Sequence, residues 1–197
     1  VLDRAGITGD DGASNNGMWD LAMLRIVPGL HLATPRDEAT LREALRTAVD
    51  IDDAPSVVRY PKGALAEPLP AIESLDGVDV LARPAVQKQG KEPVRVLVVG
   101  LGSMARTGVE TAQILADHGV LATAVSPTWV LPMPEGLVKL AGDYDLVVTI
   151  EDGLARGHRA TVQAGSQALI DALAIGFDVP LVRVKVLAVR PSDIEGE

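Results

Sequence analysis

Val94-Arg95-Val96-Leu97-Val98-Val99-Gly100-Leu101-Gly102-Ser103-Met104-Ala105 is the stretch that decides the fold. Its first six residues are mostly apolar and β-branched and read as a buried strand, the two glycines as a tight turn, and the residues from Ala105 onward as a helix. The same rhythm continues through helix Ala105 to His118, strand Val120 to Val125 and short helix Pro134 to Ala141. It ends with strand Leu146 to Ile150, helix Arg159 to Leu173 and strand Leu181 to Val186. Near-continuous apolar strands alternating with helices predict an α/β domain on a mostly parallel sheet, whose strand C-termini share the edge where ligands bind.

Toward the N-terminus the pattern changes. From Lys62 to Pro93 periodicity is lost among Pro68, Pro70, Pro84 and the run Gln87-Lys88-Gln89-Gly90-Lys91, so residues 67–93 read as a linker between units 1–66 and 94–197. Ser56 to Tyr60 is a short strand stopped by Pro61. Residues 36–49 form an amphipathic helix with Leu41, Ala44, Leu45, Ala48 and Val49 on its apolar face. Thr34 reads as its cap, Pro35 as a first-turn residue and Asp37 as a carboxylate at the positive helix end. Gly6 to Gly17, with Gly9, Asp11-Gly12 and Asn16-Gly17, is a turn-rich loop suited to left-handed backbone, and its length is usually functional when ordered. Val1-Leu2-Asp3-Arg4 resembles the end of a buried strand without a lead-in, which reads as a fragment.

Composition removes several function classes. The 197 residues carry a net charge of −9 and five aromatics, which disfavours phosphate-backbone binding and base stacking. With no cysteine there is no disulfide, thiolate metal site or cysteine nucleophile. No apolar run reaches the roughly 18 residues of a membrane span, so a cytoplasmic location is the default.

Each motif has a plain structural alternative. Gly100-Leu101-Gly102-Ser103-Met104-Ala105 meets the G-x-G-x-x-A dinucleotide pattern, but the next strand ends in Ala124-Val125-Ser126-Pro127 with no acid for a ribose, so a tight strand-to-helix turn is the simpler reading. Glu151-Asp152-Gly153 stands at the expected ligand edge, with a solvated turn as the alternative. His158, between Arg156 and Arg159, marks a basic helix start, and no partner spacing supports a metal site. His118, near a helix C-terminus, reads as a dipole partner. Arg4 and Arg59 each lie at or near a strand end. If the strands are parallel neighbours, both guanidinium groups emerge at one edge beside the Gly6 to Gly17 loop and fit a phosphate or carboxylate. The alternative is internal pairing, Arg4 with Asp3 or Asp11 and Arg59 with Asp53.

Asp3-Arg4-Ala5-Gly6, Asp11-Gly12, Asn16-Gly17-Met18-Trp19-Asp20-Leu21, Ala33-Thr34-Pro35-Arg36-Asp37 and Val58-Arg59-Tyr60-Pro61-Lys62-Gly63 occur in the order and spacing of 1-deoxy-D-xylulose-5-phosphate synthases. The chain resembles the actinobacterial type, specifically over 1–63 and more loosely through Val94 to Gly100, Trp129 to Pro132 and Glu151 to Gly153. The resemblance implies the back half of a transketolase-like pyrimidine-binding domain followed by most of a transketolase C-terminal-like domain. It also implies a transferase of isoprenoid biosynthesis, in which pyruvate loses carbon dioxide and its remainder joins glyceraldehyde 3-phosphate. Thiamine diphosphate and Mg2+ serve the complete enzyme, and the protein supplies positioning and electrostatics. Arg4 and Arg59 match the arginines that hold the substrate phosphate, and Asp11 matches an acid that orders the acceptor loop.

Position 15 departs from the pattern, since the family has histidine where this chain has Asn15. An amide can donate a hydrogen bond but cannot titrate, so general acid–base help worth about 10² to 10⁴ in rate is lost. The turn Gly153 to His158 is less glycine-rich than the family's, and the tail after Pro191 stops early. The Gly-Asp-Gly metal-diphosphate motif and the activating glutamate have no counterpart, and Glu151-Asp152 follows the wrong strand to replace them. The expectation is therefore an acceptor half-site with a dimerisation surface, bound to no cofactor or metal alone and completed by a second copy or a missing N-terminal half. Whether the chain alone is an enzyme stays open. The alternatives are the back part of a transketolase or of a 2-oxo acid dehydrogenase beta subunit, a non-catalytic α/β binding or interaction module, and a nicotinamide site resting only on Gly100 and Gly102.

Overall fold

The computed structural model describes residues 1–9, 12–85 and 93–154, and 183–189 as backbone. The first part contains α1 (Asp20–Leu24), β1 (His31–Ala33), α2 (Glu38–Asp50), β2 (Ser56–Val58), β3 (Glu73–Leu75) and β4 (Val78–Ala82). The second contains β5 (Arg95–Gly100), α3 (Ala105–Asp117), β6 (Leu121–Pro127), β7 (Trp129–Leu131), α4 (Glu135–Ala141), β8 (Leu146–Leu154) and β9 (Arg183–Val189). The expected helix 159–173, the basic residues Arg156, His158 and Arg159, the run 87–91, the tail and Asp11 lie outside the described residues.

Six strands form the larger sheet in the order β3-β4-β6-β5-β8-β9. β6, β5, β8 and β9 run parallel, as the apolar strands predicted. β5 is buried on both faces: Leu97 and Val99 enter one core, Val96 and Val98 another under α3. The antiparallel hairpin β3-β4 extends this sheet, so 67–93 is not wholly linker. Its signal was Asp76-Gly77, the two-residue turn with φ of 47° and 88° that such a hairpin requires. The flanking strands, three and five residues long, gave too little alternation to stand out.

A smaller sheet has the order β2-β1-β7, with β1 parallel to β2 and antiparallel to β7. The chain passes from the large sheet into the small one at Thr128, whose carbonyl accepts from the Thr34 N–H at 2.7 Å. Leu21, Leu30 and Leu32 of the first part share one core with Val78, Val80, Leu97, Val99, Val125, Leu137 and Val147. Strands as short as β1 and β2 are marginal alone and are held by this shared burial.

α2 starts two residues later than its pattern suggested. Asp37, not Thr34, caps it, accepting the Thr40 N–H at 3.0 Å in a capping box closed by the Thr40 hydroxyl. Thr34 is instead tied to Thr128, and Arg36 is drawn sideways to Asp79 (2.7 Å) and the Leu69 carbonyl (2.9 Å). Burial alone would raise the Asp37 carboxyl, but backbone N–H groups of Thr40 and Leu69 outweigh it and hold its pKa below the usual value. Val49 is 83% exposed, because at 100° per residue it falls at the margin of the stripe centred on Ala44 and Ala48.

β8 extends to Leu154, so Glu151-Asp152-Gly153 is strand and not a solvated turn; its partner β9 carries the pairing past a bulge after Ile150. The Gly100–Gly102 segment is the tight turn of the simpler reading. A Cβ on Gly100 would stand 2.6 Å from the Met104 carbonyl, and Gly102 adopts φ 54°. The His118 ring meets the Ile114 carbonyl at 2.8 Å at the C-terminus of α3. No helix among the described residues is long and apolar enough to cross a membrane.

Candidate functional site

Residues 2–5 run parallel beside 58–60, with Leu2 N–H to Val58 O at 2.9 Å, Tyr60 N–H to Leu2 O at 2.9 Å and Ala5 N–H to Tyr60 O at 3.1 Å. The segments that carry Arg4 and Arg59 are thus parallel neighbours, with Arg59 opposite Leu2. The loop that follows is built on local bonds. The Thr8 N–H and hydroxyl both donate to Asn16 Oδ1 at 2.9 Å, and the Gly17 N–H returns to the Gly6 carbonyl at 3.0 Å. Gly6, Gly9 and Gly12 have φ of 70°, 69° and 78°, as turn composition suggested.

Gly17 is glycine for another reason. A Cβ there would overlap the Arg4 carbonyl, because residue 17 lies directly against the backbone of 4–6. Gly17→Ala is expected to destabilise the chain by several kcal/mol through this overpacking and to disorder the loop. Thermal denaturation would check it; a variant melting with the parent would show that the backbones can part at little cost.

Arg4, Asn15, Asn16, Trp19 and Asp20 line a cleft of about 390 Å³. The structure therefore brings Arg4 and Asn15 together. It does not bring the two guanidinium groups to one open edge, because Arg59 is 3% exposed and lies behind the cleft wall. Its Nη1 donates to Asp152 Oδ1 at 2.7 Å, its Nη2 to the Gly17 carbonyl at 2.8 Å and its Nε to Asp20 Oδ2 at 3.3 Å. The other Asp152 oxygen accepts the Ser103 hydroxyl at 3.0 Å. Asp53, the internal partner that spacing offers Arg59, precedes β2 while Arg59 follows it. The acids that meet Arg59 are Asp20 and Asp152 instead.

Glu151 lies next to this network, 2% exposed, and neither carboxylate oxygen has a hydrogen-bond partner. Burial first, then the neighbouring Asp152 charge, push its pKa up to about 8 against a smaller opposing pull from Arg59, so it holds its proton at neutral pH. Burial also raises Asp20, and repulsion from Asp152 adds to it, outweighing Arg59.

The partners of Arg59 were beyond the reach of spacing arguments. Asp20 and Asp152 lie 39 and 93 residues away from it in sequence, and Ser103 joins from a third segment. Among the described residues, no three carboxylate or imidazole groups converge as a divalent metal would need.

A model of the transketolase pyrimidine binding domain matches residues 1–68, and one of the transketolase C-terminal domain matches 85–193. The chain belongs to the transketolase family. Within that family it is 58% identical over 160 residues to the 1-deoxy-D-xylulose-5-phosphate synthase of Kocuria rhizophila, covering 80% of this chain and 24% of that protein. The synthase of Nocardia farcinica is 52% identical over 185 residues, covering 91% of this chain and 28% of its own. The chain spans about a quarter of the length of these relatives.

A solved split-gene transketolase, an inactive beta4 tetramer, superimposes with a TM-score of 0.70 at 22% identity, covering 97% of this chain and 57% of that one. Transketolase from Campylobacter jejuni gives 0.57 at 21% identity, covering 77% and 23%. At these identities the structural likeness speaks for the fold alone, which is that of the transketolase pyrimidine-binding and C-terminal domains. The family implies thiamine diphosphate dependence, yet the described residues supply no carboxylate or imidazole cluster that fits the metal of a metal-diphosphate.

Proposed function

We propose that this chain is the C-terminal part of a 1-deoxy-D-xylulose-5-phosphate synthase-like transferase in the cytoplasm, carrying the half-site for the acceptor phosphate and inactive without a cofactor-binding partner. The complete enzyme would join pyruvate and glyceraldehyde 3-phosphate with loss of carbon dioxide, using thiamine diphosphate and Mg2+. The observation that supports the reading is a cleft lined by both Arg4 and Asn15 in a chain 58% identical to such a synthase. Arg4 supplies the charge for the phosphate, and the Asn15 amide donates to an acceptor oxygen without titrating. Arg59 holds the wall from behind through Gly17 and Asp20.

Isothermal titration of the purified chain with glyceraldehyde 3-phosphate, with inorganic phosphate and thiamine diphosphate as comparators, tests this. Saturable binding of the sugar phosphate is expected, weakened at least tenfold by Arg4→Ala, as loss of a charge-assisted hydrogen bond requires. No saturable heat, or Arg4→Ala binding as tightly as the parent, would overturn it.

A further inference from the structure

We infer that Asp152 is a positioning residue for the acceptor cleft: from the six-stranded sheet it sets Arg59, and through Arg59 the Gly17 carbonyl and the Asp20 carboxylate. The inference rests on the reading of that cleft as a phosphate-ester site. Asp152 does not line the cleft; its Oδ1 takes Arg59 Nη1 at 2.7 Å and its Oδ2 takes the Ser103 hydroxyl at 3.0 Å. Ser103 sits in the 3-10 turn Gly102–Met104 that opens α3, so the carboxylate is anchored from the same sheet that carries it.

A guanidinium is a rigid planar fork, and this one meets a different acceptor on each of its three nitrogens. Fixing Nη1 therefore fixes where Nη2 and Nε point. Nη2 holds the carbonyl of Gly17 and Nε the carboxylate of Asp20, and both residues line the cleft beside Arg4 and Asn15.

Asp152 also lies close to the other end of the loop. A Cβ on Gly6 would stand 3.2 Å from the Asp152 Cβ, so a side chain there would crowd Asp152. Asp152 thus stands near both ends of the 6–17 loop, close to Gly6 and joined to Gly17 through Arg59. The C-terminal unit thereby shapes a cleft built wholly from residues of the N-terminal one.

The test uses the full 197-residue chain as parent, Asp152→Asn and Ser103→Ala. Two readouts are taken: titration with glyceraldehyde 3-phosphate, and hydrogen–deuterium exchange of peptides covering 6–20 and 96–99. Asp152→Asn keeps the shape and removes the charge. It is expected to weaken sugar-phosphate binding about tenfold, the loss that goes with a hydrogen bond between charged groups. It should also speed exchange in 6–20 about tenfold while 96–99 stays as in the parent. Ser103→Ala should move both readouts in the same direction by a few-fold, and it decides the matter if Asp152→Asn does not fold. Unchanged affinity and unchanged exchange in 6–20 would overturn the inference, as would equal loosening of 6–20 and 96–99, which marks an ion pair that only holds the fold. If the parent itself does not bind the sugar phosphate, the phosphate-ester reading fails, and the local exchange still decides whether Asp152 holds the loop.

Discussion

Replacing Glu151 with glutamine is expected to remove a steep loss of stability between about pH 5 and pH 8. The carboxyl is raised from 4.5 to about 8 on folding, chiefly because burial penalises its charged form. Over that interval the folded chain keeps a proton that the unfolded chain has released, so the parent loses about 1.4 kcal/mol per pH unit from this one group as pH rises. Below the unfolded value both states are protonated and there is no loss; above about 8 both are ionised and the loss is complete. Glutamine mimics the neutral form and has no proton to release.

The gap between the two proteins should therefore widen by about 4 kcal/mol from pH 5 to pH 8, whatever constant offset the amide introduces. Asp20, also raised by burial, contributes a dependence of the same sign to both proteins and cancels in the difference. Urea unfolding of both at half-unit steps would measure this. Parallel curves would mean that Glu151 ionises freely in the folded chain.

Arg59→Met carries the second large effect, about 3–5 kcal/mol of destabilisation near pH 7. The cation lies between two carboxylates, with side-chain exposures of 2% for Arg59, 19% for Asp20 and 13% for Asp152. Methionine fills much of the space but leaves two like charges facing each other without their cation, Asp152 keeping only the Ser103 hydroxyl, and the Gly17 carbonyl without its donor. Acid should relieve much of this deficit, because protonation removes the orphaned charge and Asp20 is already raised with the arginine present. Denaturant midpoints at pH 7 and pH 5 would show it; a loss below about 1 kcal/mol at pH 7 would place the triad with exposed ion pairs, which are worth little.

Much of this architecture was legible residue by residue. Val96 to Val99 announced a strand buried on both faces, and the Gly100–Gly102 turn behaves as the plain reading required. Hairpin β3-β4 has its signal in Asp76-Gly77, but its short strands sit among prolines that mask their alternation. The cap of α2 was misplaced by three residues: Thr34 and Asp37 are both good caps, and only the pull of Asp79 on Arg36 and of Thr128 on Thr34 decides between them. Asn16-Gly17 read as a left-handed turn, whereas Gly17 is required by close approach to Arg4. Arg4 near the Gly6 to Gly17 loop is what strand-end placement suggested, but nothing along the chain signalled the burial of Arg59.

The sequence by itself determined the α/β alternation, the loop that builds the cleft and the family to which the chain belongs. These rest on periodicity, turn residues and motif order, all properties of neighbours along the chain. Only the tertiary structure decided that β7 completes the sheet of the first part, that Arg59 faces inward and that Glu151 stays protonated. Each of those depends on groups tens of residues apart meeting in a medium where an unpaired charge is costly and a paired one is held in place. No spacing along the chain encodes which distant carboxylate will arrive at a given guanidinium, so the cleft's entrance could be read from the sequence and its support could not.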